Sequence, residues 1–224
     1  MKVISFTNQK GGAGKSMLAL NVAIAAERTG EKVAIVDLDP QNTIGAWFNT
    51  RTAETPIVVA PPPGSIVHQN WLTDMLGRLA SQGFTLTIVD TKGEESHGTR
   101  GAMQAADLCL IPLRPAGPDL HAIRPTVKAL RDMGKDFALV VNQALPNKKS
   151  KLTSAVMTGL AHDGTVVPLA VASRASFQKA YSLGQGVTEF EAADGAGAAE
   201  IIELWAWCRK RLNREEGFSN VAAG

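Results

Sequence analysis

The chain has 224 residues, of which 45% are hydrophobic and 20% are charged, and its formal net charge is +2. This length suits one α/β domain with a substantial core, and the composition is that of an ordinary globular protein. A nearly neutral charge excludes a global basic field, so any nucleic-acid binding must come from a local patch.

The cysteines and the apolar segments indicate the compartment. Cys109 and Cys208 lie far apart in apolar segments and show no metal-ligand spacing, so we expect buried, reduced thiols. The chain begins directly with an apolar strand, which leaves no room for a signal peptide. No apolar stretch approaches the roughly 18–20 residues of a membrane-spanning helix. We therefore expect a cytoplasmic protein.

Residues 2–16 carry the strongest signal for function. An apolar run at 3–6 predicts a buried strand, a glycine-rich loop follows, and an apolar helical pattern opens at Lys15-Ser16. Backbone N–H groups of such a loop converge on an anion, and the helix N-terminus adds partial positive charge. Lys15 would reach the β- and γ-phosphates of a nucleotide, and the Ser16 hydroxyl would bind Mg²⁺.

This loop departs from the strict Walker A motif at one position. The strict pattern has glycine at position 9, whereas this chain has Gln9 followed by Lys10. A dinucleotide site is disfavoured, because no G-x-G-x-x-G is present and a lysine followed by Ser or Thr is suited to a triphosphate.

The rest of the chain alternates strands with helices. We predict further strands at 32–37, 57–60, 84–90, 108–113, 138–142 and 166–170. We predict helices at 17–28, from 65 to about 82, and at 119–133, 152–160, 173–183 and 196–212. A further short helix should end near residue 50. Residues 91–99 should form a polar loop, and Pro125 should kink its helix or mark its true first turn. This rhythm predicts a single-domain, doubly wound, mainly parallel sheet over residues 1–212, with 213–224 as a flexible tail.

Two further strands end in acidic residues. Asp37 and Asp39 follow the second strand, and Asp90 ends the run Leu-Thr-Ile-Val-Asp. Ligands of parallel sheets collect at the carboxyl ends of strands, so all three acids should point towards the phosphates. Asp90 suits a Walker B role on Mg²⁺, and Asp37 or Asp39 could position the attacking water. The alternative is that each acid only caps a loop or helix.

Several stretches together resemble the ParA/MinD family of ATPases. Residues 9–16 resemble the family's deviant Walker A motif, in which an extra lysine stands before the glycine pair. Residues 36–41 resemble its second motif, and 87–91 its Walker B motif. Residues 110–120 are similar to the stretch I-P-x-x-P-S-x-x-D, and 174–184 to R-x-x-F-x-x-A-x-x-x-G. Among subfamilies the chain looks most like the small plasmid-partition ParA (ParF-like) proteins, with carboxysome- or cargo-positioning relatives close to it.

The resemblance implies an ATP-dependent dimerisation switch with weak ATPase activity. Lys10 would be the signature lysine that reaches the partner's nucleotide, so that ATP is sandwiched in a homodimer. Lys15 would act on the phosphates, and Asp39 would orient the hydrolytic water. The resemblance implies nucleotide contacts at Gly11, Gly12, Ala13, Gly14, Lys15, Ser16, Met17 and Asn142. It implies Mg²⁺ contacts at Ser16 and Asp90.

Two departures from the family pattern stand close to this site. Ser16-Met17 replaces the usual Thr-Thr, and serine retains the hydroxyl that Mg²⁺ needs. Lys92-Gly-Glu-Glu-Ser-His97 replaces the usual Pro-Pro-type stretch after the Walker B aspartate. We expect this loop near the γ-phosphate or the dimer face, with His97 a solvated residue.

The resemblance also implies partners. We expect non-specific DNA binding, a small DNA-binding or adaptor protein that stimulates the ATPase, and a plasmid, chromosome or other cargo. The candidate DNA contacts are Lys148, Lys149, Lys151, Arg174, Lys179, Arg209, Lys210, Arg211 and Arg214. For the basic residues of the last helix, the alternative is that they only form a solvated helix face. No membrane attachment is expected, because the C-terminal segment carries acids and little apolar bulk.

A metabolic enzyme is the alternative class of function. A P-loop protein can also use ATP to activate or phosphorylate a small substrate. Such an enzyme would turn over fast only with its acceptor and would need an additional substrate pocket.

Overall fold

The computed structural model describes residues 1–62, 69–146 and 151–213. Seven strands form its sheet: β1 (Lys2–Phe6), β2 (Val33–Asp37), β3 (Ile57–Val59), β4 (Leu86–Asp90), β5 (Leu108–Leu113), β6 (Phe137–Ala144) and β7 (Thr165–Ala172). Their spatial order is β3-β2-β4-β1-β5-β6-β7, and neighbouring strands pair in parallel. The parallel order confirms the predicted class, since β1 lies in the middle with connections running to both sides.

Helices cover both faces of the sheet. They are α1 (Lys15–Glu27), α2 (Thr43–Thr50), α3 (Gln69–Ser81), α4 (His97–Ala105), α5 (Gly117–Ala122), α6 (Arg124–Asp132), α7 (Lys151–Leu160), α8 (Ala175–Ser182), α9 (Val187–Phe190) and α10 (Ala196–Leu212). One core packs α1, α2 and α10 on the sheet, and the other packs α3, α4, α6 and α7 on its opposite face.

Alternating side chains of the strands divide these two cores. In β1, Ile4 and Phe6 lie in the core under α1, whereas Val3 faces the other core. Helix α1 is apolar on every side and lies buried between the sheet and α10. Trp205 of α10 donates a hydrogen bond to the Thr29 hydroxyl at 2.8 Å, which fixes α10 over the end of α1.

The helices and strands of the structure match the predicted ones, with a few differences. The loop predicted at 91–99 is shorter, because Ser96 caps α4, which begins at His97. The helix predicted at 119–133 is two helices separated at Ile123, and Pro125 lies in the first turn of α6. Proline is tolerated there because the first N–H groups of a helix have no intrahelical acceptor. Helix α4 and the short α9 were not predicted.

Some expectations concern segments outside the described ranges. They are the Ser65 start of the third helix, the loop lysines Lys148 and Lys149, and the tail from Arg214 onward. Cys109 and Cys208 are both free and buried, as predicted. Within the ranges that the structure describes, no helix has the length and apolarity needed to cross a membrane.

Gly184 provides a test of the packing between α8 and α2. It has a φ of +66°, and a Cβ there would lie 2.5 Å from the backbone of Arg51. We expect Gly184→Ala to lower the free energy of unfolding by about 2–4 kcal/mol, through left-handed strain and backbone overlap.

Gly77→Ala is the matched control for this substitution. Gly77 is exposed inside α3, and a Cβ there would meet nothing within 4 Å. The control should raise the free energy of unfolding by roughly 0.5–1 kcal/mol, because alanine costs less entropy in a helix. Urea unfolding measures both changes, and equal effects would contradict the packing described.

Candidate functional site

The phosphate loop connects the central strand β1 to α1. Gly12 and Gly14 have φ values of +77° and +84°, in the left-handed region that favours glycine. Gly14 precedes α1 and offers no side-chain cap to the first N–H groups of that helix. These N–H groups are therefore free to bind an anion at the positive end of the helix dipole.

Buried amide side chains hold this loop from below. Asn142 donates from Nδ2 to the Ala13 carbonyl at 2.8 Å. Asn8 donates from Nδ2 to the Pro112 carbonyl at 2.7 Å and accepts from the Lys10 N–H at 3.0 Å. The Asn142 contact turns the Ala13 carbonyl into the protein, away from the anion, while the Asn8 contacts tie the start of the loop to β5.

The end of β6 supplies both this support and part of the cavity wall. Asn142 is buried, and a Cβ on Gly14 would lie 2.3 Å from its Nδ2 atom, so glycine is required at position 14. The next residue, Gln143, has a φ of +53° and donates to the Gly12 carbonyl at 3.3 Å. The Asn142 amide binds the loop, and the nucleotide contact expected of Asn142 stays a prediction.

A cavity of about 570 Å³ opens above the loop. Its wall includes Gly11, Gly12, Gly14, Lys15, Ser16, Met17, Asp39, Gln41, Thr43, Lys92, Gly93, Glu94, Gln143 and Gln178. The structure thus brings most of the predicted phosphate-binding residues to one cavity. A volume of this size is in the range of small-molecule and cofactor sites.

Two aspartates lie side by side beneath the cavity. Asp37 and Asp90 are in register at the ends of the adjacent strands β2 and β4, and both are buried. Burial raises the pKa of Asp37, while backbone N–H groups of Asp39, Gly45 and Ile44 oppose the shift. Asp37 therefore serves as a backbone acceptor near the start of α2.

Asp90 differs because its charge is poorly compensated. Burial raises the pKa of Asp90 to about 8, although the Ser16 hydroxyl opposes the shift, and Asp37 reinforces it. Neither carboxylate oxygen accepts a hydrogen bond of normal geometry. A buried, unsatisfied carboxylate beside a hydroxyl offers the hard oxygen ligands that a divalent cation prefers.

Within the described part of the chain, no three His, Cys, Asp or Glu residues cluster as a metal site. A cation at Asp90 would therefore take its other ligands from Ser16, phosphate and water. This pattern is usual for Mg²⁺ at nucleotides, and it fits the predicted pair of Mg²⁺ ligands.

Lys15 and Asp39 both line the cavity. Burial lowers the pKa of Lys15, and the negative charges of Asp90 and Asp39 raise it in part. The Lys15 ammonium lies 3.4 Å from the Lys10 carbonyl. Asp39 accepts from the Gln41 N–H at 3.0 Å through one oxygen, so it caps its own loop at the cavity wall.

Lys10 does not line the cavity of its own chain. Its ammonium forms an ion pair with Asp119, a buried carboxylate in the first turn of α5. Arg114 binds the same carboxylate from Nε at 2.9 Å. Burial alone would raise the pKa of Asp119, but the hydrogen bonds from Arg114 and Lys10 hold it below the usual range.

Sequence reasoning missed several residues that build this site. Asp119 lay in a stretch compared with a family motif, but its contact with Lys10 joins positions 109 residues apart. The backbone conformation of Gln143 has no sequence signal. Lys92, Gly93 and Glu94 line the cavity, and His97 is exposed. The place expected for this loop, near the γ-phosphate or the dimer face, stays a prediction.

The basic residues considered for DNA binding divide into two groups. Arg174 pairs with Glu200, and Arg211 pairs with Asp136, so these two serve the fold. The exposed members within the described ranges are Lys151, Lys179, Arg209 and Lys210. Lys148, Lys149 and Arg214 lie outside those ranges.

The parallel sheet and its central glycine-rich loop define a P-loop nucleotide-binding protein. Residues 4–187 match the family model for the CobQ/CobB/MinD/ParA nucleotide binding domain. Since this match covers most of the chain, the protein belongs to that family.

Two relatives show the kinds of protein that are similar to it. The maintenance of carboxysome distribution protein A of Gloeobacter kilaueensis is 30% identical over 160 residues, or 70% of each chain. The protein ParA of Rhizobium radiobacter is 25% identical over 209 residues, or 90% of this chain and 91% of that one.

Solved structures share the fold at lower identity. The MinD cell division protein of Aquifex aeolicus has a TM-score of 0.72 at 16% identity, over 94% of this chain and 98% of that one. The MinD of Pyrococcus horikoshii, solved with Mg-ADP, has a TM-score of 0.69 at 16% identity, over 91% of this chain and 94% of that one. These likenesses support the fold.

The buried Asp90 predicts an unusual dependence of stability on pH. Its folded pKa lies above the value of about 3.9 for an exposed aspartate, so the folded chain binds an extra proton between about pH 4 and 8. The free energy of unfolding therefore falls as the pH rises through this window, by up to about 1.4 kcal/mol per unit. Asp90→Asn removes this loss. The free energy of unfolding of this variant should therefore increase relative to that of the wild type as the pH rises from 5 to 8.

Urea unfolding without nucleotide or Mg²⁺ measures the effect at each pH. Asp132→Asn, which neutralises a largely exposed carboxylate on α6, is the control and should show no such trend. A difference between Asp90→Asn and the wild type that does not widen with pH would contradict the description of Asp90.

Proposed function

We propose that this chain is an ATP-dependent dimerisation switch with weak, Mg²⁺-dependent ATPase activity that positions or partitions DNA or another cargo. The observation that carries the proposal is the place of Lys10. This extra lysine precedes the phosphate loop, yet its ammonium is held by Asp119 outside the cavity of its own chain. A second chain gives such a lysine a phosphate to bind.

Different residues around the cavity have different roles in nucleotide binding and hydrolysis. The loop N–H groups and Lys15 would bind the phosphates, and Ser16 with Asp90 would hold Mg²⁺. When bound, Mg²⁺ neutralises charge on the phosphate oxygens. Asp39, at the cavity wall, accepts a hydrogen bond from the attacking water and orients it.

Arg114 lowers the free-energy cost of releasing Lys10 from Asp119. A buried carboxylate left without a partner costs several kcal/mol. After Lys10 leaves, Asp119 keeps its contacts with the Arg114 side chain and with the Arg114 N–H at 3.3 Å. The ammonium can therefore move to the nucleotide of the partner chain and stabilise charge that develops during hydrolysis.

The dimer would then persist only while its nucleotide is a triphosphate. Hydrolysis removes the phosphate that Lys10 binds and so dissolves the dimer, which makes ATP a timer for assembly. A small DNA-binding or adaptor protein that speeds hydrolysis would set the lifetime. The names of the two relatives, maintenance of carboxysome distribution protein A and ParA, support a positioning role.

Lys10→Ala tests the switch directly. We expect it to leave ATP binding largely intact, because Lys10 lies outside the cavity of its own chain. It should lower ATP hydrolysis by at least tenfold and abolish the ATP-dependent dimer, since the lysine in trans is lost. Calorimetric titration measures binding, phosphate release measures turnover, and sedimentation velocity measures dimerisation.

Lys128→Ala is the control, because Lys128 is an exposed lysine on α6 that pairs with Asp132. It should match the wild type in all three measurements. Unchanged turnover in Lys10→Ala would overturn the assignment of Lys10. Fast turnover that requires a small-molecule acceptor would favour a metabolic enzyme instead.

We further propose that the ATP dimer binds DNA non-specifically through phosphate contacts. The described candidates are Arg209 and Lys210, exposed in the last turn of α10, together with Lys151 and Lys179. Each phosphate contact should contribute about −0.9 to the slope of log K against log salt.

Replacing both Arg209 and Lys210 by alanine should reduce that slope by roughly 2 and weaken binding equally for different DNA sequences. Fluorescence anisotropy over a salt series with ATP measures it. The matched control replaces Arg78 and Lys128, two exposed cations of helices on the opposite face of the sheet, and should leave the slope unchanged. No binding at low salt with ATP would refute the DNA proposal.

A further inference from the structure

The loop between β4 and α4 brings a second lysine to the phosphate cavity. Lys92, Gly93 and Glu94 line the same cavity as Lys15 and Ser16. Of the lysines within the described ranges, only Lys15 and Lys92 contribute to that wall, since Lys10 is turned towards Asp119. Nothing in the proposed switch uses Lys92 so far.

Hydrogen bonds hold this loop at both of its ends. The Thr91 hydroxyl donates to the Phe6 carbonyl of β1 at 2.9 Å. On the other side, Thr99 donates from its hydroxyl to the Glu94 carbonyl at 3.1 Å, and its N–H donates to Ser96 at 3.0 Å. The backbone that carries Lys92 therefore has a defined position beside the cavity.

Gly93 places this backbone directly against the phosphate loop. A Cβ on Gly93 would lie 2.7 Å from the Gly11 nitrogen and 3.0 Å from the Lys10 carbonyl carbon. Such distances leave no room for a side chain. The absence of a Cβ thus lets the segment of Lys92 lie against the residues where the phosphate loop begins.

The present partner of Lys92 is a weak one. Its ammonium is paired with Glu94, whose side chain is 68% exposed. Ion pairs of exposed side chains contribute only about 0–1 kcal/mol, because water screens them. A phosphate oxygen in the cavity offers a stronger, charge-assisted hydrogen bond, so an anion there can displace Glu94 at little cost.

We propose that Lys92 binds the terminal phosphate of ATP in its own chain and so distinguishes ATP from ADP. Without that phosphate, Lys92 stays on Glu94. The loop N–H groups and Lys15 bind the phosphates that both nucleotides share, whereas Lys92 reaches the cavity from the loop between β4 and α4. This inference rests on nucleotide binding at the proposed site, but it does not depend on dimerisation or on any cargo.

Calorimetric titration with Mg²⁺ and either AMPPNP or ADP tests the role of Lys92. Lys92→Gln should weaken AMPPNP binding by about tenfold and leave ADP binding within about twofold of the wild type. Lys92→Arg should retain the preference for AMPPNP, because arginine keeps the charge. Glu94→Gln should bind AMPPNP at least as tightly as the wild type, since the competing carboxylate is removed.

The titrations are repeated in a Lys10→Ala background, so that dimerisation adds nothing to the affinity for AMPPNP. Lys128→Gln is the control for the loss of an exposed lysine charge and should change neither affinity. Thermal melting of each variant without nucleotide checks that it folds.

Two results would overturn the role of Lys92. Equal losses for AMPPNP and ADP would mean that Lys92 only shapes the loop, and no loss for either would mean that it does not touch nucleotide. If the wild type binds both nucleotides but stays a monomer, the proposed switch fails while the role of Lys92 stands. If the wild type dimerises with AMPPNP and Lys92→Gln keeps its preference, only the role of Lys92 fails.

Discussion

The site depends on one constraint, which is that the phosphate loop must keep its N–H groups outward and its carbonyls satisfied. The buried amide of Asn142 meets this need by binding the Ala13 carbonyl, and Gly14 leaves room for that amide. Asn8 ties the same loop to the Pro112 carbonyl at the end of β5. Because these contacts come from three neighbouring strands, the parallel sheet itself sets the shape of the cradle.

Charge balance explains how the lysines around this cradle are held without an anion. Lys10 is paired with Asp119, and Lys92 is paired with Glu94. Asp90 remains the uncompensated group, and burial raises its pKa to about 8. The site therefore holds two paired lysines and one buried carboxylate that a divalent cation would satisfy, which is the arrangement that the proposed switch needs.

The sequence predicted the sheet, because buried parallel strands such as Leu86–Asp90 are continuous apolar runs, and it predicted the cradle from the glycines that precede Lys15. It could not predict the contact of Lys10 with Asp119 or the support of Ala13 by Asn142. Both contacts join residues more than 100 positions apart, and only the packed sheet sets the distance between them. Helix α4 was missed because its Ser96 cap stands in a polar stretch without apolar periodicity.

The central claim is that Lys10 acts on the nucleotide of a second chain. A crystal structure with AMPPNP and Mg²⁺ tests it most directly. We expect two chains facing each other across both nucleotides, with each Lys10 ammonium within hydrogen-bond distance of the partner's phosphates and Asp119 left to Arg114. A single chain with nucleotide in its cavity, and with Lys10 still on Asp119, would contradict the claim.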